Sequence, residues 1–277
     1  MATVRMIKNA EMLDRFIPNV LVAVKGEKSL FEKLDMHLLV AETWLKDTFT
    51  SETTFSTIAG YSDDNIIKHL GCQVVVSEAF RKAVPSLDLV LTPNGFGIVS
   101  NNNVVPASKE RIARLMQSLE KTRDDALELL IPKLAGASKW TSSTQCEWFR
   151  STLFQDMSVV AEMGFTEHRW EKYVELRQQI IDIEQSLAEE FISPEQMAAW
   201  RSTHVTNATI ERAIALVKAE ILRVLKGQPI STQRMMDVVN LIRNNPLYFP
   251  AWHSSDTAKL FSPPVFKNKK QAKGYWF

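Results

Sequence analysis

The sequence predicts a mainly α-helical bundle with one short β-hairpin at about residues 87–100 and an extended basic-aromatic C-terminal tail. Three observations predict it. Apolar residues recur at spacings of three and four along most of the chain. The stretch "LDLVLTPNGFGIV" (87–99) alternates instead, with a turn signal at its centre. The last residues lose all periodicity while gathering lysines and aromatics.

The first helix is read at 29–49, where Phe31, Leu34, Leu38, Ala41 and Leu45 form one stripe. Gly60 and Tyr61 break the chain, and Ser62 is read as the N-cap of a second helix with Asp63 and Asp64 in its first turn. That helix is apolar nearly all round, with small residues at Gly71, Cys72 and Ala79, which marks a central helix. Pro85 is expected to help end it. In the hairpin, Leu87, Leu89 and Leu91 alternate with Asp88, Val90 and Thr92. Pro93, Asn94 and Gly95 supply the turn, and Phe96 opens the return strand to Val99.

Ser108 caps the third helix, whose stripe runs through Ile112, Leu115, Met116, Leu119, Ala126, Leu127 and Leu130 until Pro132 and Gly136 close it. "GASKWTSSTQ" (136–145) is small, polar and aperiodic, so a boundary is expected there. Beyond it, Tyr173, Leu176, Ile180, Ile183 and Leu187 make one heptad seam, and Ile210, Ile214, Val217, Ile221 and Val224 another. Ser193-Pro194-Glu195-Gln196 reads as a capping box between them. These signals divide the chain into a helical domain with the hairpin (1–135), a second helical region (136–253) and a tail (254–277). No internal repeat stands out.

The formal net charge is +1, spread unevenly: residues 254–277 hold five lysines and one aspartate, or +4, so the rest sums to −3. A slightly acidic body is not a nucleic-acid-binding domain by charge; only the tail qualifies. Cys72 and Cys146 make no disulfide framework or CxxC pair, and Cys72 reads as a buried small hydrophobe, so a reducing compartment is inferred. The N-terminus lacks a signal peptide's apolar stretch, and "VLVAV" (20–24) is too short for a membrane span. A protein made in solution in a cytoplasm is expected, with no membrane partner.

Catalytic patterns are weak. His37, His69, His168, His204 and His253 are scattered, without metal-ligand spacing. "NGFG" lacks the remainder of a phosphate loop, and Ser118 with Lys121 matches SxxK at the frequency of chance. Asp124-Asp125 and Glu189-Glu190 are expected on solvated helix faces. No enzyme, metal or cofactor is predicted. Trp140, Trp148, Trp170, Trp200 and Trp252 are assigned to the core. The tail differs: Lys267, Lys269, Lys270 and Lys273 precede Tyr275, Trp276 and Phe277, the composition of a docking peptide for another chain.

The run "AFRKAVPSLDLVLTPNGFGIVSNNNVVPASKERIARL" (79–115), with "VPASKER" at 105–111, resembles an uncharacterised protein family of Bacteroidetes phages and prophages. The order of elements is similar to that of the head–tail connector (adaptor) proteins of tailed phages. The likeness is specific over 62–135, extends more loosely over 29–61 and fades beyond 136. It implies a virion structural protein of the neck, made in the host bacterial cytoplasm and assembled as a ring, a dodecamer by resemblance. Its partners would be the portal and other neck or tail proteins, with DNA contact only along the lumen or tail. Connector proteins are usually shorter, so the helical second half is a departure. The hairpin tip (Pro93, Asn94, Gly95, Phe96) and the tail residues become interface candidates. The alternative class is a helical nucleic-acid-binding or DNA-packaging accessory protein whose lysines bind phosphate.

Overall fold

The computed structural model describes residues 4–17, 28–87, 89–92, 95–98, 108–202 and 207–262, the two short strands by their backbone. Within these the protein is mainly helical. In order come α1 (Ala10–Asp14), α2 (Leu30–Leu45), a π-helical turn at Lys46–Thr50, α3 (Glu52–Ala59) and α4 (Ile66–Leu87). Strands β1 (Leu89–Thr92) and β2 (Gly95–Ile98) follow, then α5 (Lys109–Leu134), α6 (Thr144–Arg150), α7 (Ser158–Glu162) and α8 (Arg169–Leu187). A second π-helical turn at Ala188–Ile192 leads to α9 (Pro194–Ser202), α10 (Ala208–Leu225), α11 (Thr232–Arg243), α12 (Pro250–His253) and α13 (Asp256–Leu260).

The chain divides into two compact units: Met1–Arg150 with Phe154–Val174, and Ser151–Leu153 with Glu175–Phe277. In the first, α4 lies between α2 and α5 and buries Leu70, Val74, Val75, Ala79 and Ala83, the central position its all-round apolar surface predicts. Leu34, Leu38, Ala41 and Leu45 of α2 are buried, while Phe31 is half-buried. On α5 the stripe is buried from Leu119 through Leu130, and Ile112, Leu115 and Met116 stay half-exposed. β1 and β2 pair antiparallel, Leu89 opposite Ile98 and Thr92 opposite Gly95. In the second unit, α10 packs on α11, and Ile180, Leu187, Val217 and Ile221 of the two seams are buried.

Several local expectations are corrected. The boundary expected at 136–145 lies inside the first unit, because Trp140 is buried and its indole N–H donates to the Phe49 carbonyl at 2.5 Å. The cap of α4 is Asn65, not Ser62: Asn65 Oδ1 accepts the N–H groups of Ile67 (2.9 Å) and Lys68 (3.3 Å), while Asp63 pairs with Lys68 Nζ. The helices do end close after Pro85 and Pro132, at Leu87 and Leu134, two residues beyond each proline. Each lies in the last turn, where a missing N–H removes one hydrogen bond and leaves the rest of the ladder intact. Ser193 does cap Gln196 N–H at 3.2 Å, but the Gln196 side chain accepts Trp252 N–H instead of closing the box. Trp140, Trp170, Trp200 and Trp252 are core residues, as expected; Trp148 is half-buried.

The largest correction concerns repetition. The first seam and the α2 stripe are the same positions shifted by 142 residues: Phe31, Leu34, Leu38, Ala41 and Leu45 against Tyr173, Leu176, Ile180, Ile183 and Leu187. The match extends to structure. Each stripe runs into a π-helical turn and then a serine held at positive φ, Ser51 at 71° and Ser193 at 76°. Each serine oxygen caps the next helix. Asn65 and Asn207 cap α4 and α10 with the same pair of bonds, to the second and third N–H groups beyond. Glu78 and Glu220 are buried and pair with Arg81 and Arg223 three residues on. From the C-terminal half of α5 the shift becomes 112: buried Arg123, Ala126, Leu127 and Leu130 against Met235, Val238, Val239 and Ile242. Trp140 and Trp252 then both donate to a phenylalanine carbonyl, of Phe49 and Phe191. Phe149 stacks on Phe49 at 6.2 Å as Phe261 stacks on Phe191 at 6.3 Å. The chain is one helical module written twice.

Candidate functional site

The change of shift from 142 to 112 locates the difference between the copies. In the second repeat α10 passes to α11 through 226–231, with Gly227 at φ 79° and Ser231 as the cap. In the first, the corresponding stretch of sequence is 84–119, thirty residues longer, and its described part comprises the last turn of α4, the β1–β2 pair and the first turns of α5. This arm contains nearly all of the run 79–115.

The arm stands on a buried charge network. Arg123, next to its base on α5, is 1% exposed and donates to Glu78 Oε2 at 3.0 Å and to both Glu171 oxygens at 2.9 Å. It also bonds Asp124, itself 1% exposed, at 2.8 Å. The other Asp124 oxygen accepts the Arg169 N–H at 2.9 Å and so fixes the first turn of α8. Arg169 reaches Glu128 at 2.6 Å and also bonds Asp125. Asp124 is thus buried, not solvated as the sequence suggests, because its neighbour Arg123 takes an apolar-stripe position and the pair enters the interior together. Glu189 and Glu190 are exposed, as expected.

Burial alone raises the Glu78 carboxyl, but Arg123, Arg81 and Lys82 outweigh it and hold the group below the usual glutamate range. For Glu171 burial is likewise outweighed, here by Arg123, and the pKa is lowered. Desolvation dominates at Asp124, whose pKa is raised despite Arg123. Burial works against the Arg123 charge, yet Glu171, Asp124 and Glu78 together raise its pKa, so the guanidinium is charged at any physiological pH. In the second repeat Met235 occupies the Arg123 position, and Glu220 accepts Ser231 N–H at 2.6 Å instead.

Beside the network lies a cleft of about 370 Å³ between Arg114, Gln117 and Lys121 on α5 and Thr166, Glu167 and His168. Glu120, His168 and Glu171 bring ligand atoms within 4.8 Å of one another there. The three groups are already partnered in this structure. Arg123 already holds both oxygens of Glu171, and His168 Nδ1 and Glu120 Oε1 are 2.6 Å apart, so a fixed cation and a hydrogen bond satisfy the three groups. Lys121 Nζ bonds Asp125 at 2.7 Å on the exposed side of α5 and makes no pair with Ser118, so the SxxK match assembles no nucleophile. Both cysteines are buried, and burial pushes the Cys72 thiol up to about 12, which makes it inert as a nucleophile.

Of the interface candidates, Gly95 and Phe96 fall on β2, opposite Thr92 and Leu91. Pro93 and Asn94, and the tail residues Lys267, Lys269, Lys270, Lys273, Tyr275, Trp276 and Phe277, lie outside the described residues. The sequence reading missed Glu78, Arg123, Asp124, His168 and Glu171. One signal was present: an arginine at position 123, where the α5 stripe calls for an apolar residue.

Residues 17–150 match the model of a family described as a family of unknown function (DUF6712). The match spans most of the first repeat and the whole arm. No curated protein and no solved structure matches the chain. Among the described residues no helix is long and apolar enough to cross a membrane.

Proposed function

We propose that the protein is a structural component of the neck of a tailed bacteriophage, a connector that docks portal to tail, without catalytic turnover. The observation that carries this reading is the arm. The run that resembles an uncharacterised phage and prophage family, 79–115, lies mostly within the stretch by which the first repeat exceeds the second. An insertion that the second repeat lacks, flanked by helices joined through a buried ion network, is suited to contact. Preorganisation at its base reduces the ordering cost of binding. The tail is the second contact, its lysines steering the segment toward an acidic surface and its aromatics anchoring it.

The test is a pull-down of the full chain against the portal and adjacent neck proteins encoded beside it, across a salt series, with duplex DNA as the competing ligand. Portal or neck binding that survives an excess of DNA supports the proposal. Binding to DNA alone, with the steep salt dependence of phosphate contacts, would instead make the protein a packaging accessory.

A further inference from the structure

We infer that Glu42 and Gly71 form a seat for an extended segment of chain, and that residues 265–268 of a second copy take it in exchange for the residues that fill it here. The inference stands apart from the neck assignment. Glu42 is 3% exposed on α2, and its Oε1 accepts the backbone N–H groups of Met6 at 2.7 Å and Ile7 at 3.0 Å. Both residues are fully buried. Met6 lies over Gly71 of α4, where a Cβ would come within 2.8 Å of the Met6 methyl carbon, so the missing side chain makes the hollow. Asn9 then caps α1 by accepting the Met12 N–H at 2.9 Å. Main-chain donors and one apolar side chain carry the recognition, so another sequence of the same pattern satisfies it.

The second module repeats the seat. Glu184 and Ala213 hold the positions of Glu42 and Gly71, and both are fully buried. Glu184 Oε1 accepts the Leu153 N–H at 2.7 Å, and Leu153-Phe154-Gln155-Asp156 stands against Met6-Ile7-Lys8-Asn9. Asp156 accepts the Ser158 N–H at 2.9 Å at the start of α7, as Asn9 serves α1. Two occupants thus define one pattern: an apolar pair, Lys or Gln, then a capping Asn or Asp. A third run fits it. Val265-Phe266-Lys267-Asn268 begins at the spacing from Trp252 that Leu153 keeps from Trp140, and it repeats Lys8-Asn9 in identity. The third run lies outside the described residues, and its match is one of sequence. Each described run is held by the module that follows it, and the module available to the third is the first module of another copy. That seat is also the less completely satisfied. Arg5 Nε lies 2.6 Å from Glu42 Oε2 as an ion pair, yet these two atoms and Arg5 Nη2 are buried without an aligned hydrogen bond. Arg201 gives Glu184 Oε2 two such bonds, at 3.0 and 2.6 Å. Buried polar atoms left unpaired weaken the hold of the present occupant and favour exchange.

The probe is a labelled peptide of residues 262–274, titrated with the full chain and read by fluorescence anisotropy, with amide hydrogen exchange as the second readout. Saturable binding is expected, displaced by an unlabelled peptide of residues 2–14 and not shared by a scrambled peptide of the same composition. Val265→Asp with Phe266→Asp in the peptide should weaken binding by about tenfold or more, since a carboxylate is costly to bury in the hollow over Gly71. On saturation the Met6 and Ile7 amides should lose protection as their own run is displaced. In the native chain without peptide the same loss should grow with protein concentration, and the full chain carrying Val265→Asp and Phe266→Asp should not show it. Absence of binding, equal binding by the scrambled peptide, or Met6 and Ile7 amides that stay protected in the bound state would each overturn the inference. So would protection that does not vary with concentration in the native chain, the result expected if the third run sat on its own module.

Discussion

Trp140 and Trp252 hold equivalent positions in two copies of one module, each closing its copy by donating an indole N–H to the carbonyl of a buried phenylalanine, Phe49 at 2.5 Å and Phe191 at 3.0 Å. Each also accepts on its own carbonyl from a serine three residues on, Ser143 or Ser255. The phenylalanine carbonyls belong to π-helical turns, whose irregular ladders leave acceptors for side chains to satisfy.

Trp140→Phe and Trp252→Phe should therefore destabilise the protein by similar amounts, about 1–3 kcal/mol each for a buried acceptor left without its donor. Denaturant melts of the two variants check this. Equal losses support the equivalence of the two positions; a loss at one site only counts against it.

Arg123→Met installs the residue found at position 235 and should cost about 3–5 kcal/mol, because Asp124 would remain buried without its cationic partner and Glu78 would keep only Arg81 and Lys82. Adding Glu78→Gln should recover part of that loss. A double-mutant cycle measures the coupling.

Acid should act on the same network. Glu78 and Glu171 are held below the ordinary glutamate value of 4.5, so the native state binds their protons less tightly than the unfolded chain does. Their stabilisation is present above that value and is lost as pH falls through the lowered native pKa. Asp124, raised by burial, runs the other way: its contribution is present below 3.8 and is lost as pH rises through the raised native value. Thermal midpoints measured from about pH 6 to about pH 3 should fall on acidification, and Glu171→Gln should make that fall shallower.

Ile180→Ala and Ile221→Ala each remove a fully buried side chain from a seam, at a cost of about 2–5 kcal/mol. Melting curves indistinguishable from those of the native chain would show that the seams do not form a packed core.

Helix existence was legible from periodicity, and the central place of α4 from its apolar surface. Repetition was legible too, in "WTSSTQCEWF" (140–149) against "WHSSDTAKLF" (252–261). It is hard to see because the insertion of 84–119 breaks the register and because core positions keep burial while changing identity, as Phe31 and Tyr173 or Arg123 and Met235 do. The charge network was illegible for a different reason. Asp124 is pulled into the core by Arg123 and by the N–H of Arg169, forty-five residues away, and stripe counting treats each charged residue as solvent-facing. Helix ends were legible from proline to within two residues, since Pro85 and Pro132 sit in the last turn, where the helix tolerates one lost bond.

The inserted arm has a numerical consequence for any assembly of this chain. Covalent linkage fixes the two modules in alternation, one armed and one bare. A closed ring of n chains therefore displays 2n modules and only n arms. A partner that reads the arm therefore meets half as many docking points per chain as one that reads the surface the two modules share.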